Sequence, residues 1–131
     1  MALAVAQQLA RNRGWRLDSA GTHVQGAKRM DARAQAVLLK HQYTPGKTRS
    51  RQVAAQDFER FDLILAMDEA NLAALKRLCP APLQHKLRLL LSFAPELGVT
   101  EVPDPYFGDL AGFERVLTLV EAGIRGLLAQ V

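Results

Sequence analysis

The sequence predicts an α/β protein built as a three-layer open parallel sheet with helices on both faces. Segments with helical spacing of apolar residues alternate with short strand-like runs. The run 63–67 is apolar at every position, which is typical of a strand covered on both faces. With 131 residues, of which 49% are hydrophobic and 23% charged, the chain is predicted to form one domain spanning residues 1–131.

The first part of the chain predicts a helix followed by a strand. Good helix formers fill residues 2–13, and Gly14 is the residue type favoured just past a helix end. Residues 15–20 are predicted to form a short strand, which leads into a turn at Gly21. The parallel sheet is therefore expected to include this segment.

Asp31 is the expected N-cap of a second helix. Ala34, Val37, Leu38 and His41 are predicted to lie along one face of this helix. Pro45 and Gly46 indicate a turn, and a loop is expected to run on to Ser50. Residues 56–61 are predicted to add one helical turn before the buried strand.

Asp68 follows the apolar run directly and is the expected N-cap of a third helix, 69–78. Leu72, Leu75 and Leu78 are predicted to share one side of this helix. Residues 86–91 are predicted to form a third strand. A long last helix has a predicted buried stripe of Phe113, Leu117, Val120, Ile124, Leu127 and Val131.

Asp104 is the first candidate for catalysis, because Pro103 and Pro105 restrict the loop on both sides of the carboxyl group. Such an acid could hand a proton to a departing phenolate, and the adjacent Tyr106 and Phe107 could wall a slot for its ring. The alternatives are a turn aspartate and two core anchors under the loop. At the end of the predicted first strand lies Ser19, which either supports a neighbouring phosphate loop or is an ordinary turn serine.

Cys79 is the only cysteine, and its surroundings do not fit a nucleophile. A phosphatase loop needs an arginine six positions later, where this chain has His85, and Pro80 and Pro82 remove amide donors. A buried structural cysteine is the preferred interpretation. The histidines show no metal-like spacing, so we expect no metal and no cofactor.

The net charge of +4 mildly favours anionic ligands. The basic group Lys47, Arg49 and Arg51 lacks interleaved aromatic residues, so nucleic-acid binding is not expected. No segment is long and apolar enough for a membrane span, and a lone cysteine suits a reducing cytoplasm. The expected localisation is therefore cytoplasmic, with no membrane partner.

Four stretches, in this order, resemble the low molecular weight protein tyrosine phosphatase family: DSAGT at 18–22, DARA at 31–34, FDLILAMD at 61–68 and DPY at 104–106. The resemblance implies hydrolysis of phosphotyrosine in a protein substrate through a cysteinyl-phosphate intermediate. It also implies that Asp104 protonates the leaving tyrosine oxygen, that Tyr106 and Phe107 flank the phenyl ring, and that Ser19 braces the phosphate loop.

The departures from the family pattern concern its nucleophile. In the family, a first strand and a loop carrying the cysteine and arginine precede the first helix, and Met1 aligns just past that loop. A family histidine near Arg49 is replaced by Thr48. The expectation is an N-terminally truncated chain, without the first strand, that is inactive as written.

Three functional hypotheses remain open at this stage. The chain is a fragment of a phosphatase whose start was placed too late, or a non-catalytic phosphatase-like interaction protein that self-associates through unpaired strand edges. The third is an arsenate-reductase-like relative, which would need redox cysteines beyond Cys79.

Overall fold

A computed structural model describes residues 1–22, 31–45, 51–104 and 109–130. The regular sheet in these ranges consists of two short strands, β1 (Ile64–Ala66) and β2 (Leu87–Leu89). They pair in parallel, with Ile64 opposite Leu87 and Ala66 opposite Leu89. The predicted α/β class with a parallel sheet is therefore confirmed.

The described residues also form five α-helices: α1 (Ala2–Leu9), α2 (Ala32–Lys40), α3 (Ala55–Arg60), α4 (Glu69–Leu78) and α5 (Leu110–Gln130). Short 3₁₀ helices at Ala81–Lys86, Leu90–Phe93 and Pro95–Leu97 connect the later elements.

Alternation along β1 divides the core into two layers of side chains. Leu65 and Met67 pack on one face of the sheet, against a set of buried residues we call the α5 cluster. Ala66 belongs to the opposite face. The α5 cluster consists mainly of Val5, Val37, Leu38, Leu90, Leu91, Phe113, Leu117, Val120 and Ile124. The opposite set, the α4 cluster, consists of Phe58, Ala66, Leu75, Cys79 and Leu87.

Two predicted helix starts are confirmed by their capping hydrogen bonds. The Asp31 carboxylate accepts from the Arg33 backbone N–H at 2.8 Å, and the Asp68 carboxylate accepts from the Asn71 backbone N–H at 2.7 Å. The α4 bounds, Glu69–Leu78, coincide with the predicted helix. Each cap satisfies an amide that has no partner inside its helix.

The prediction of a strand at 15–20 is wrong. Within the described ranges these residues lie in no sheet, and only the following residue, Gly21, forms an isolated parallel bridge, with Gln52. Gly21 N–H donates to the Arg51 carbonyl at 2.8 Å, and its own carbonyl accepts from Val53 N–H at 2.9 Å. A strand needs a partner over several residues, and that partner is not found beside 15–20 in the described part of the chain.

Other boundaries also differ from the predictions. The first helix ends at Leu9 instead of continuing to residue 13, and Gly14 has a positive φ of 70° in the turn that follows. The predicted strand 86–91 is shortened to Leu87–Leu89, because the next residues turn into a 3₁₀ helix. Gly46 to Ser50 lie outside the described residues.

The predicted buried faces are confirmed in part. Phe113, Leu117, Val120, Ile124 and Leu127 are all buried in α5, while Val131 lies outside the described residues.

The other two predicted faces are buried only in part. Leu75 is 5% exposed, but Leu78, the last residue of α4, is 55% exposed. Ala34, Val37 and Leu38 are buried, while His41, just past the end of α2, is exposed. In the described ranges, no helix is both long and apolar enough to cross a bilayer.

Candidate active site

A cavity of about 440 Å³ opens where β1 ends. Ligand sites of open α/β sheets lie at this carboxyl edge of the strands. Its polar lining consists of Gln7, Ser19, Asp68, Asn71 and Asp104, and its apolar lining includes Met1, Leu3, Met67, Val102, Pro103, Val116 and Val120. The cavity therefore combines a mainly apolar floor with a few polar groups at its rim.

Asp104 reaches the cavity from the connection between β2 and α5, which is tied to the end of β1. The Val102 backbone N–H donates to the Met67 carbonyl at 2.8 Å. The Val102 side chain is 6% exposed and belongs to the α5 cluster, so it anchors the connection from below. Two residues later, Asp104 is exposed at the cavity rim.

Ser19 lines the same cavity from the other side, in the segment 18–22. Its backbone N–H donates to the carboxylate of Asp18 at 2.8 Å. The other oxygen of Asp18 accepts from Arg51 Nη2 at 3.0 Å. An arginine in the adjacent segment thus holds the residue that precedes Ser19.

Asp57 holds Arg51 in place, and it is the buried charged residue of the described ranges, with 5% exposure. The Nη1 and Nη2 atoms of Arg51 donate to the two Asp57 oxygens at 2.9 and 3.0 Å and so form a bidentate pair. The Ala54 backbone N–H also donates to Asp57, at 2.8 Å. The Arg51 hydrogen bonds lower the pKa of the Asp57 carboxyl below its usual range, which keeps the pair charged.

Thr22 completes the attachment of segment 18–22. Its hydroxyl oxygen accepts from Asn71 Nδ2 at 3.1 Å, and its carbonyl accepts from Gln52 Nε2 at 2.8 Å. Asn71 lies in the first turn of α4 and also lines the cavity. The serine side of the cavity is therefore attached both to the 51–53 segment and to α4.

The structure brings two sequence-predicted residues, Ser19 and Asp104, to one cavity. Tyr106 and Phe107, the predicted ring contacts, lie outside the described residues, as do Lys47, Thr48 and Arg49. Cys79 is 6% exposed in the α4 cluster and is not part of the cavity lining. Within the described ranges, no three His, Cys, Asp or Glu side chains are grouped so that they could hold a metal ion.

Several residues around the cavity were missed by the sequence reasoning. Arg51 was considered only as a member of a basic group, yet it pairs with two carboxylates. Glu101 and Asn71 were not singled out, and both make long-range hydrogen bonds. Only the spacing of Asn71, three residues after the Asp68 cap, marks it in the sequence, and that spacing predicts a cap contact and no more.

Carboxylates beside an apolar lining are suited to proton transfer to a flat apolar leaving group.

The sequence profile of the family described as low molecular weight phosphotyrosine protein phosphatase matches residues 1–131. The low molecular weight protein-tyrosine-phosphatase of Streptomyces coelicolor is 44% identical over 121 residues, which are 87% of this chain and 71% of the relative. The human low molecular weight phosphotyrosine protein phosphatase is 36% identical over 121 residues, covering 87% and 72% respectively.

Solved structures give the same match at the level of the fold. A crystal structure of protein tyrosine phosphatase from Entamoeba histolytica, with Hepes in the active site, superposes with a TM-score of 0.93 at 33% identity. It covers 98% of this chain and 85% of the other. A low molecular weight phosphotyrosine phosphatase from Vibrio cholerae gives a TM-score of 0.92 at 36% identity, with the same coverage of 98% and 85%.

Proposed function

Because the chain belongs to the low molecular weight phosphotyrosine protein phosphatase family, we propose that its cavity is where a phosphotyrosine monoester in a protein substrate is cleaved. The observation that carries this proposal is that Asp104 and Ser19 line one cavity at the end of β1. Asp104 is assigned as the general acid, and Ser19 as a support for the phosphate-binding loop. Tyr106 and Phe107 are assigned to the phenyl ring of the substrate.

The proposed reaction has two steps. A cysteine thiolate attacks phosphorus, the S–P bond forms, and the P–O bond to the phenol breaks with its electron pair on oxygen. Asp104 gives its proton to that oxygen, so that a phenol leaves instead of a phenolate. Water then attacks the phosphorus of the cysteinyl phosphate, with the Asp104 carboxylate accepting a proton from the water. The S–P bond breaks with its electron pair on sulfur, so that phosphate is released and the thiolate is restored.

The thiolate of this scheme is not supplied by Cys79. It is the single cysteine of the 131 residues, and it is buried in the α4 cluster, where its thiol contacts the Pro80 carbonyl at 3.5 Å. We therefore propose that the 131 residues alone do not turn over an aryl phosphate. The missing thiolate and the amides that would hold the phosphoryl oxygens cannot be replaced by an acid.

The direct test is an assay of the purified 131-residue chain with p-nitrophenyl phosphate. We expect phenolate release at the rate of the buffer blank. Turnover above the blank that disappears in Asp104→Asn or Cys79→Ser would overturn the proposed inactivity. A Glu96→Gln variant, which changes an exposed carboxylate in the same connection, serves as the matched control.

Testing the role of Asp104 requires a form of the protein that carries a thiolate nucleophile. A chimera places before Met1 the N-terminal segment of the Streptomyces coelicolor relative, in which the family resemblance implies a first strand and a nucleophile loop. In this chimera, Asp104→Asn should lower kcat/KM for phenyl phosphate, which reports the step in which the phenol leaves, by about 10² or more. The loss should be much smaller for p-nitrophenyl phosphate, whose leaving group needs less protonation. Equal losses on both substrates would remove Asp104 from the role of general acid.

A second candidate function is non-catalytic self-association through strand edges. In the described ranges β1 pairs with β2 alone, and 15–20 runs beside the cavity without a strand partner. Such edges can accept a strand from a second copy. Sedimentation equilibrium of the 131-residue chain would then give a concentration-dependent dimer, whereas a monomer at millimolar concentration would rule this candidate out.

We also propose that the protein acts in a reducing compartment such as the cytoplasm. The support for this is the free, buried Cys79, which has no cysteine partner in the sequence. Fractionation of the source cell, with a fluorescent fusion as a second readout, would test the location.

A further inference from the structure

The first turn of α4 is attached to both sides of the cavity. On the acid side, the Glu69 backbone N–H donates to Glu101 Oε2 at 2.8 Å. On the serine side, Asn71 Nδ2 donates to the Thr22 hydroxyl at 3.1 Å. Glu101 is three residues before Asp104, and Thr22 is three residues after Ser19. A single helical turn therefore links the segments that present the two candidate site residues.

From this arrangement we propose that Glu101 and Asn71 are positioning residues: Glu101 sets the place of Asp104 at the cavity, and Asn71 sets the place of Ser19. The inference rests on the proposed function, because it concerns the residues assigned to that reaction. Neither residue is assigned to contact the reacting atoms. Each acts through the segment it holds.

Glu101 is suited to this role by its charge and its exposure. The first amides of a helix have no partner inside the helix, and a carboxylate there gains from the helix dipole as well as from the hydrogen bond. Glu101 is exposed, so its removal takes little apolar surface out of the core. The hydrogen bond from Val102 to Met67 joins main-chain atoms, so replacing the Glu101 side chain does not remove either partner. The replacement leaves the Val102 bond as the remaining one of these two attachments, so the residues that lead to Asp104 are less restrained.

Asn71 holds the opposite side with a separate contact. Within the described ranges, segment 18–22 lacks the ladder of hydrogen bonds that a paired strand would have, and Gly21 forms an isolated bridge. The contact from Asn71 to Thr22 attaches this segment directly to α4. Because Asn71 also lines the cavity, it is close to the site whose geometry it sets.

The first test uses nuclear magnetic resonance on the 131-residue chain at one pH. Glu101→Ala should shift the side-chain carboxyl resonance of Asp104 and speed amide exchange at Glu69, with Ser19 unchanged. Asn71→Ala should shift the Ser19 amide and leave Asp104 in place. Glu101→Gln, which keeps an amide oxygen as acceptor, should restore most of the Asp104 signal. Glu96→Ala and Asn12→Ala, at exposed positions, are the matched controls.

The second test uses the catalytic chimera and compares two leaving groups. Glu101→Ala should lower kcat/KM for phenyl phosphate on the order of tenfold and that for p-nitrophenyl phosphate much less. Displacing the acid slows a reaction only to the extent that its leaving group depends on protonation. Glu101→Gln should recover most of this loss. Asn71→Ala should slow both substrates by the same factor.

The outcomes separate this inference from the proposed function. If Asp104→Asn lacks the leaving-group dependence, the general-acid role that the proposed function assigns to Asp104 is wrong. If Asp104→Asn has it but Glu101→Ala does not, Glu101 does not position the acid and the inference is overturned. An Asp104 resonance that is unmoved by Glu101→Ala, or a Ser19 amide unmoved by Asn71→Ala, overturns it as well.

Discussion

The backbone amide of Val102 donates a 2.8 Å hydrogen bond to the carbonyl of Met67, one residue past the end of β1. This bond ties the connection that carries Asp104 to the carboxyl edge of the sheet. It works together with the Val102 side chain, which packs in the α5 cluster. The position of the candidate acid thus depends on a main-chain bond and on a buried apolar anchor.

The anchor can be weakened without touching the main-chain bond. Val102→Ala removes two methyl groups at a site that is 6% exposed, and we expect the free energy of unfolding to fall by about 2 kcal/mol. Urea titration followed by circular dichroism measures the change. Val99→Ala, in the same connection but 36% exposed, should change it by less than about 0.5 kcal/mol. Equal losses in the two variants would contradict the anchoring role of Val102.

The pair of Arg51 with Asp57 should matter more than the pair of Arg51 with Asp18. The Asp57 side chain is 7% exposed and the Asp18 side chain 39%. Asp57→Asn should lower the free energy of unfolding by about 2 kcal/mol, because it removes the negative charge from a buried bidentate pair. Asp18→Asn should cost no more than about 0.5 kcal/mol, since that pair is open to solvent. A larger loss for Asp18→Asn would contradict this ranking.

Lowering the pH should reduce the stability that the pair of Arg51 with Asp57 contributes. The pKa of Asp57 is lowered in the folded state, first by the Arg51 hydrogen bond. Its contribution is therefore present above the unfolded pKa of about 3.9 and is lost as pH falls through the lower folded value. Denaturant titrations between about pH 6 and pH 3 should show a loss of stability on acidification that is reduced in Asp57→Asn. An identical pH profile in the two proteins would be inconsistent with the lowered pKa.

Raising the pH should reduce the stability that Tyr43 contributes. This side chain is 4% exposed, and its hydroxyl donates to Glu121. Burial first, and then the hydrogen bond to Glu121, raises the pKa of Tyr43 to about 12. The unfolded chain loses this proton near pH 10, so the stability that Tyr43 contributes below pH 10 is lost as pH rises toward 12. In Tyr106→Phe, Tyr43 is the only tyrosine left of the two.

The measurement is the near-ultraviolet absorbance of tyrosinate in the Tyr106→Phe variant. We expect ionisation near pH 12, or at the pH of unfolding if that comes first. In Tyr43→Phe, which retains Tyr106, stability between pH 10 and 12 should fall less steeply than in the parent chain. Tyrosinate formed near pH 10 by folded Tyr106→Phe would show that the Tyr43 hydroxyl is not buried against Glu121.

The sequence predicted those parts of the structure that depend on neighbouring residues. Asp68 caps α4 as expected, because the cap and the amide it satisfies are three residues apart. Asp104 and Ser19 were chosen as site residues, and the fold brings both to one cavity. The α5 stripe from Phe113 to Leu127 was predicted for the same reason, since helical spacing is written in the local sequence.

Long-range pairing accounts for most of what the sequence did not predict. The strand expected at 15–20 fails because strand formation depends on a partner elsewhere in the chain. Arg51 gives no local sign of its contact with Asp18, 33 residues away, and Asn71 none of its contact with Thr22, 49 residues away. These contacts decide how the serine side of the cavity is held, and a periodicity argument cannot find them.

The close contact of α5 with the 3₁₀ helix after β2 leads to the last prediction. A Cβ added to Gly126 would lie 1.9 Å from the Phe93 carbonyl oxygen and 2.7 Å from its carbon. Backbone atoms cannot move aside as a side chain can, so Gly126→Ala must push α5 away from Leu90–Phe93. At Gly123 the nearest atom is Leu90 Cγ, at 2.6 Å, which can shift by a change of rotamer.

We therefore expect Gly126→Ala to lower the free energy of unfolding by about 3 kcal/mol or to prevent folding, despite the better helix propensity of alanine. Gly123→Ala should cost less than about 1.5 kcal/mol, because its gain in helix propensity of about 1 kcal/mol offsets part of the strain at Leu90. A Gly123→Ala, Leu90→Val pair, with a smaller neighbour, should recover part of that cost relative to Leu90→Val alone. Thermal unfolding followed by circular dichroism compares the variants. A Gly126→Ala protein as stable as Gly123→Ala would mean that α5 does not approach the Phe93 backbone as closely as described.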